Sequence, residues 1–334
     1  MNKETVKKIL SKFSYARILV IGDLILDEFI RGNADRISPE APVPVVWAQS
    51  QSYMPGGASN VANNIASLGG KVFLSGVIGD DKNGNVLLEA LRSREVNCDA
   101  VIVDSRRPTT VKTRISAGHQ QIVRVDWENI EHLSMDKTDA IVGHIKERIK
   151  EVDALVIEDY GKGMITPVLL KRIVSLAVRH HKIITVDPKV EHFSYYQGVT
   201  ALTPNEKEAA AGSGVKINNE ADVDEAGWKL LKKLKCEGVL ITQGEKGMKL
   251  FSTKDGKGCV VHIPTVAQEV FDVSGAGDTV ISVFTLALSC GVKMEDAAKI
   301  ANLAAGIVVG KVGVAVVTQK EILEAWDRLK VKLI

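Results

Sequence analysis

The amino-acid sequence predicts an α/β fold in which helices flank a mostly parallel central sheet, with a small antiparallel β sheet at its edge. Three observations support this prediction. Short apolar runs alternate with helical stretches along most of the chain, as in parallel sheets covered on both faces. Other segments alternate polar and apolar residues with a period of two, which indicates strands with one wet face. Two late segments are apolar nearly all round, which indicates buried helices.

The predicted parallel strands are short runs rich in β-branched residues. Each run is bounded by Gly, Asp or Pro and lies close to a helical segment. We expect these strands over residues 18–21, 72–78, 153–157, 183–186 and 239–242.

Three segments outside this rhythm predict the small antiparallel sheet. Residues 43–49 follow a proline-rich turn, and residues 110–117 and 121–128 alternate polar and apolar side chains. Because one face of such a strand packs while the other is wet or holds a ligand, we expect a sheet attached to the edge of the α/β core.

Two helices late in the chain are predicted to be buried. Residues 279–290 and 300–309 are hydrophobic nearly all round. The N-terminus of the first helix should therefore lie inside the protein, where its free amides and dipole can act on a ligand.

Composition narrows the classes of function. The chain has 334 residues, with 45% hydrophobic and 25% charged, as expected of one globular domain over residues 1–334. The net charge of +2, from 43 basic and 41 acidic residues, gives no electrostatic case for nucleic acid or a membrane surface. No run approaches the ~18 apolar residues of a membrane span, and the four scattered cysteines favour a reducing cytoplasm.

The first motif with chemical potential is Asp272-Val-Ser-Gly275-Ala276-Gly277-Asp278, at the start of the first buried helix. Two glycines at a helix start let a ligand approach the backbone, whose N–H groups bind anions. A carboxylate in that turn could accept a proton from a hydroxyl held beside the anion, as phosphoryl transfer to an alcohol requires. The alternative is an ordinary glycine-rich loop. The P-loop, dinucleotide-binding and GxSxG motifs do not occur.

A second glycine pair, Gly56-Gly57, opens a helix that carries Asn60 in its first turn. Backbone amides and the Asn60 side chain could together hold a polar ligand, although such pairs are often plain turns. Asp27 follows the first predicted strand, near the edge of a parallel sheet where α/β proteins bind ligands. It could equally be a solvated loop acid.

In order and over nearly the whole chain, four motifs resemble those of the ribokinase family of carbohydrate kinases. Gly56-Gly57 with Asn60 resembles the sugar-side motif, and residues 272–278 resemble the catalytic motif. Asn205 and Glu208 match the Asn-x-x-Glu motif that works with magnesium and phosphate. Residues 242–247 (TQGEKG) resemble the nucleotide-binding turn.

The resemblance implies a role for each of these residues. Asp278 would be the base, and the backbone of Gly275, Ala276 and Gly277 would form the anion hole. Asn205 and Glu208 would organise Mg²⁺ through water. The ATP site would be lined by Thr242, Gly244, Gly247 and Asn302. The sugar hydroxyls would be held by Asp27, Gly56, Gly57 and Asn60.

The small sheet would then form a lid over the sugar, from about residues 31–50 and 106–128, and the lid would mediate a homodimer. Five further stretches resemble one branch of the family, the kinases of D-glycero-β-D-manno-heptose 7-phosphate, which phosphorylate the anomeric 1-hydroxyl for lipopolysaccharide core synthesis. These stretches are residues 37–45, 107–114, 120–121, 158–163 and 187–189. In this branch the kinase stands alone or forms the first half of a bifunctional protein with an adenylyltransferase, and we expect only the kinase part here.

A sugar that already carries a phosphate needs cations at its far end. Five residues are candidates for this contact: Lys112, Arg114, Arg124, Lys162 and Lys189. Solvated surface charges are the alternative interpretation of the lid residues. Two other functions stay open, namely a ribokinase-type kinase for another sugar and, more remotely, a non-catalytic sugar-binding regulator.

Overall fold

The computed structural model describes residues 1–118, 120–254, 257–267 and 270–332. The described residues form ten α-helices and thirteen β-strands. The helices are α1 Lys3–Leu10, α2 Ala58–Ser67, α3 Lys82–Arg92, α4 Met135–Arg148, α5 Pro167–Arg179, α6 Glu206–Ser213, α7 Glu220–Leu234, α8 Ala276–Ser289, α9 Met294–Val308 and α10 Gln319–Lys332. The strands are β1 Arg17–Gly22, β2 Leu24–Ile37, β3 Pro44–Gly57, β4 Lys71–Ile78, β5 Asn97–Val103, β6 Thr110–Ala117, β7 Gln120–Trp127, β8 Ala154–Glu158, β9 Ile183–Asp187, β10 Ala201–Leu202, β11 Gly238–Thr242, β12 Met248–Lys254 and β13 Lys257–Ile263.

Nine strands form the large sheet, in the order β13-β12-β11-β10-β9-β8-β1-β4-β5. The strands from β11 to β5 are parallel, and β12 and β13 add an antiparallel edge. The five predicted strands correspond to β1, β4, β8, β9 and β11. The predicted fold class is therefore confirmed.

Alternation along the parallel strands explains their continuous apolar sequences. In β1, Ile18 and Val20 belong to one hydrophobic core, while Leu19 and Ile21 belong to the core on the opposite face. Both faces of each central strand are thus covered by helices, so both sets of alternating side chains must be apolar. The strand ends are the parts of this sheet that remain free to carry polar groups.

A second sheet has four strands, in the order β3-β2-β6-β7. It contains the segments predicted to form the lid, and it is called the lid below. Its outer pairs, β3–β2 and β6–β7, are antiparallel, but β2 and β6 run parallel. The sheet is therefore mixed, whereas the sequence predicted a wholly antiparallel one. β2 and β3 pair from Leu24–Gly57 at one end to Ile37–Pro44 at the other. This hairpin extends beyond the predicted lid bounds of about 31–50.

The lid is joined to the large sheet at the site. A single residue, Asp23, separates β1 from β2, and β3 leads directly into α2 at Ala58. Asp27, Gly56 and Gly57 therefore lie on the lid strands, close to where β1 ends. In the described part of the chain, no helix combines the length and apolar character that a membrane span requires.

Candidate active site

The carboxylate of Asp278 lies inside the protein, in the first turn of α8. Residues 278–288 of this helix are all buried, and Asp278 itself is 4% exposed. Asn60 Nδ2 donates to its Oδ2 at 2.6 Å, and the Tyr160 hydroxyl donates to its Oδ1 at 3.0 Å. Burial raises the pKa of Asp278 to about 6, and the two hydrogen bonds oppose that shift. A buried carboxylate with a pKa near neutrality suits a general base.

The turn before α8 requires glycine at residue 275. Gly275 has a φ of 79°, and a Cβ there would lie 2.8 Å from Asn60 Nδ2, so a larger residue would displace a group that holds the carboxylate. The amides of Gly275 and Gly277 have no acceptor among the residues that the structure describes. The amide of Ala276 instead donates to the carbonyl of Val273 at 3.2 Å. Two of the three predicted anion-hole amides are therefore open to a ligand at the helix start.

Two further carboxylates lie beside Asp278. Glu158 ends β8 and Asp187 ends the neighbouring strand β9, and one oxygen of each of the three residues lies within 4.8 Å of the others. Both carboxylate oxygens of Glu158 are fully buried and have no hydrogen-bond partner within the described residues. Burial, followed by the adjacent Asp187, raises the pKa of Glu158 well above its ordinary value. Buried oxygens in this arrangement suit a shared proton or a hard divalent cation.

Asn205 and Glu208 lie at the start of α6 and cap it reciprocally. Asn205 Oδ1 accepts from the Glu208 amide at 3.0 Å, and Glu208 Oε2 accepts from the Asn205 amide at 2.9 Å. The second carboxylate oxygen of Glu208 makes no hydrogen bond within the described residues. Burial raises the pKa of Glu208, and its charge in turn helps to raise the pKa of Asp187. The two groups of oxygen donors are therefore neighbours.

A cavity of about 530 Å³ opens against the start of α8. Its wall contains Ala276 and Gly277 from the helix start, together with apolar side chains of α8 and α9. All four residues that the sequence assigned to a nucleotide lie in this wall: Thr242, Gly244, Gly247 and Asn302. Asn302 is held there because its Nδ2 donates to the carbonyl of Pro264 at 2.8 Å. A mostly apolar cavity that ends at free helix amides could take a base at one end and phosphates at the other.

On the lid side, Asp27 lies on β2 and forms a largely buried ion pair with Arg114 of β6. The Arg114 guanidinium also lies over the ring of Phe29, 5.3 Å from its centroid. Gly56 leaves the space that the Asp27 carboxylate occupies, because a Cβ at residue 56 would lie 2.3 Å from its Oδ2. Asn60 is fully buried. Its contact with Asp278 places it beside the carboxylate of the site.

The five candidate cations differ in whether a carboxylate already neutralises them. Arg114 pairs with Asp27, Arg124 pairs with Asp126 at 2.8 Å, and Lys162 pairs with Glu128 at 2.7 Å. Lys112 and Lys189 have no ion-pair partner among the described residues. Lys112 Nζ instead lies 4.8 Å from the centroid of the Tyr160 ring. Burial lowers the pKa of Lys112, while the charge of Asp27 opposes that change.

Residues 16–321 match the sequence profile described as pfkB family carbohydrate kinase. The chain belongs to the pfkB family of carbohydrate kinases. The enzyme class predicted from the sequence is thereby confirmed.

Curated relatives of this pfkB-family chain include proteins named bifunctional protein HldE. The protein from Geobacter metallireducens is 46% identical over 95% of this chain and 65% of its own length. The protein from Citrifermentans bemidjiense is 44% identical over 97% of this chain and 66% of its own length. The chain therefore spans a little under two thirds of the length of these relatives.

Solved structures share the pfkB-family fold at lower identity. Arabidopsis thaliana ribokinase, complexed with ribose and ATP, superposes with a TM-score of 0.73 and 20% identity over 93% of this chain and 98% of its own. Escherichia coli phosphofructokinase-2, in complex with substrates and products, gives a TM-score of 0.77 and 19% identity over 94% and 100% of the two chains. These similarities establish the fold.

The sequence reasoning missed four polar residues of the site. Glu158, Tyr160 and Asp187 lie in two stretches that resemble the kinases of heptose phosphate, residues 158–163 and 187–189. Only Lys162 and Lys189 of these stretches were predicted to contact the substrate. The fourth residue, Asp23, is buried between β1 and β2. Its carboxylate accepts hydrogen bonds from the backbone amides of residues 160, 162 and 164, and these bonds fix the loop after β8. One signal was available, since acidic residues that end adjacent parallel strands meet at one sheet edge.

Proposed function

We propose that this chain transfers the γ-phosphoryl group of ATP to the anomeric 1-hydroxyl of D-glycero-β-D-manno-heptose 7-phosphate, giving heptose 1,7-bisphosphate for the ADP-heptose precursor of the lipopolysaccharide core. The observation that carries the proposal is the position of Asp278, which is buried beside open amides where the nucleotide-sized cavity ends. Family membership supports the kinase reaction, and the relatives named HldE support a heptose phosphate as the substrate. Use of ATP favours the cytoplasm as its compartment.

In the proposed reaction, the sugar hydroxyl oxygen attacks the γ-phosphorus of ATP and the bond to the β-phosphate oxygen breaks, releasing ADP. Asp278 accepts the hydroxyl proton as the new bond forms. The amides of Gly275 and Gly277, at the positive end of the α8 dipole, stabilise charge on the transferred group. Thr242, Gly244, Gly247 and Asn302 line the space for the rest of the nucleotide.

Magnesium fits the oxygen-rich side of this site. The two buried oxygens of Glu158, which have no hydrogen-bond partner among the described residues, and the adjacent carboxylate of Asp187 are the type of donor that Mg²⁺ takes. Asn205 and Glu208 would hold its water ligands from the start of α6. When bound, the ion would neutralise charge on the phosphates.

For the phosphate that the sugar already carries, Lys112 is the strongest of the five candidate cations. It has no described carboxylate partner, and it lies on the lid face near Asp27 and Asp278, whose charges both interact with it. Lys189 is the other of the five candidates that has no ion-pair partner among the described residues. Arg114, Arg124 and Lys162 could contribute only by leaving or sharing a carboxylate.

We also propose a homodimer through the lid. Large apolar side chains are exposed on this sheet: Ile37, Trp47, Val123, Val125 and Trp127. Exposed apolar patches of this kind commonly pack against a partner. Trp127→Glu, on the outer strand β7, should shift the particle mass towards that of a monomer in multi-angle light scattering. An unchanged mass would exclude a lid-mediated dimer.

A sugar panel tests the proposed substrate. Heptose 7-phosphate, unphosphorylated heptose, ribose, fructose and fructose 6-phosphate are each incubated with ATP and Mg²⁺, and ADP release is measured with and without the sugar. We expect kcat/KM to be highest for heptose 7-phosphate. NMR of the product should show that the new phosphate is on the 1-hydroxyl. Equal or better turnover of another sugar would reject heptose 7-phosphate as the substrate, but it would leave the proposed kinase reaction standing.

A further inference from the structure

Tyr160 lies between the proposed base and the lid and contacts both. Its hydroxyl donates to Asp278 Oδ1 at 3.0 Å. Its ring makes a cation–π contact with Lys112 of β6, whose Nζ lies 4.8 Å from the ring centroid. Asp278 belongs to α8, Lys112 to the lid and Tyr160 to the loop after β8, so one side chain connects three separate elements.

The backbone of Tyr160 is itself fixed. Its amide donates to Asp23 Oδ2 at 2.9 Å, and the same carboxylate accepts the amides of Lys162 and Met164 at 3.1 and 3.2 Å. Asp23 is buried between β1 and β2. The loop that carries Tyr160 is therefore anchored to the centre of the large sheet, and the phenol is presented to Asp278 from a rigid support.

The two hydrogen bonds to Asp278 arrive at different oxygens. Asn60 Nδ2 donates to Oδ2 at 2.6 Å, and Tyr160 donates to Oδ1. With a donor on each oxygen, the plane of the carboxylate is fixed, and its remaining lone pairs have defined directions. A base transfers a proton efficiently only when a lone pair points at the hydroxyl. Without the Tyr160 hydroxyl, the carboxylate could rotate about its bond to Cβ.

We propose that Tyr160 is a positioning residue that orients the Asp278 carboxylate for proton transfer, and that Lys112 supports this role by holding the Tyr160 ring from the lid. This inference rests on the proposed function of Asp278 as the base, and it holds for any sugar that the enzyme phosphorylates. The cation–π contact gives the lid a direct effect on the geometry of the base.

Tyr160→Phe tests the proposal, and Tyr196→Phe is its matched control. Tyr196 is also a buried tyrosine, but its hydroxyl donates to Asp159 Oδ2 at 2.6 Å and not to Asp278. We expect Tyr160→Phe to lower kcat by about 10- to 100-fold, the value of one hydrogen bond to a charged group. The KM for ATP should stay unchanged. Tyr196→Phe should keep kcat within about twofold, whatever its melting temperature.

Lys112→Met tests the contribution of the lid. Measured at saturating sugar, the decrease in kcat should be clearly smaller in the Tyr160→Phe background than in the wild type, because both changes act on the same carboxylate. Additive effects on kcat would remove Lys112 from the proposal. A kcat for Tyr160→Phe equal to that of the wild type, or an equal loss in Tyr196→Phe, would overturn the role of Tyr160.

An infrared measurement provides a readout that does not depend on turnover. With ring-labelled tyrosine, the difference between wild type and Tyr160→Phe isolates the C–O stretch of Tyr160, and Asp278→Asn should shift this band. An unshifted band would show that the hydroxyl does not donate to Asp278, and would overturn the proposal. If the sugar panel instead favours another substrate, the heptose assignment fails. The kcat values of the wild type, Tyr160→Phe and Tyr196→Phe are then compared with that substrate, and they still decide the role of Tyr160.

Discussion

Asp278 combines burial, two hydrogen-bond donors and the start of a helix in one residue. Burial alone would favour the neutral carboxylic acid, whereas the donors and the helix dipole favour the anion. The resulting balance leaves the pKa of Asp278 at about 6. A carboxylate with this pKa is ionised at neutral pH and still accepts a proton readily, as the proposed role of base requires.

Asp278→Asn should lower kcat by at least ~10²-fold, because the amide cannot accept the hydroxyl proton. Nucleotide affinity, measured by calorimetry, should change little, since Asp278 is absent from the wall of the cavity. Asp104→Asn, a substitution at a buried carboxylate paired with Arg106, is the control for loss of a buried charge. Turnover near the wild-type rate in the Asp278 variant would end the proposed mechanism.

The pH dependence of kcat should follow the ionisation of Asp278. The anion is the active form and its pKa is raised to about 6, so kcat should fall as the pH drops through about 6 and level off above neutrality. Since the Tyr160 hydrogen bond lowers the pKa of Asp278, Tyr160→Phe should move the acid limb to higher pH. A flat profile between pH 5 and 7 in the wild type would contradict this assignment.

The start of α6 brings Asn205 and Glu208, the residues proposed to hold the water ligands of magnesium, to the site. Its isolated β-bridge joins Asn205 to Thr242, so the helix start and the nucleotide turn are held together. The reciprocal cap of Asn205 and Glu208 then fixes the Glu208 carboxylate against the backbone. The position of this helix, rather than the flexibility of a side chain, places its oxygens next to Asp187.

Glu208→Gln should raise the Mg²⁺ concentration needed for the half-maximal rate, because an amide is a weaker ligand and a weaker acceptor for metal-bound water. Glu206→Gln is the matched control. Glu206 lies in the same turn of α6, but its carboxylate accepts from Gln243 at 3.0 Å. Coinciding Mg²⁺ titrations of the Glu208 variant and the wild type would exclude Glu208 from the metal site.

The lid strand β6 carries two cations with different expected effects. Lys112→Ala should reduce kcat/KM for heptose 7-phosphate by about 10-fold or more, the value of one charge-assisted hydrogen bond. Unphosphorylated heptose should be affected less. Arg114→Ala should impair both sugars alike, since it leaves Asp27 buried without its partner. Arg124→Ala, which removes a more exposed ion pair, is the control. Equal losses of kcat/KM for both sugars in Lys112→Ala would reject a contact between Lys112 and the sugar phosphate.

The α/β class was predictable because the central strands are buried on both faces and their sequences are continuously apolar. β2 was not predicted as a strand, and the strand predicted over residues 43–49 covers only the first part of β3. Gly32, Asn33 and Asp35 on β2 and Ser50 to Ser52 on β3 have no strand-like pattern. Their pairing with each other and with β6 determines their conformation, and local sequence does not contain that information.

Among the site residues, those in glycine-rich turns were predictable because their motifs have a fixed spacing. Glu158 and Tyr160 were not, since an acidic residue and a tyrosine near a strand end have many ordinary explanations. Only the order of β8, β9 and β1 in the sheet, together with the insertion of α8, brings them to Asp278. The β1–β8 pairing and the hydrogen bond from Tyr160 to Asp278 each join segments more than 100 residues apart.

The burial of α8 has a consequence for heat inactivation. Asp278, the proposed base, occupies the first turn of a helix that is enclosed by other elements from residue 278 to residue 288. Local fraying, which usually begins at exposed helix ends, is therefore opposed at the end that carries the chemistry. Catalytic competence and the hydrophobic interior should be lost together on heating, in a single cooperative event.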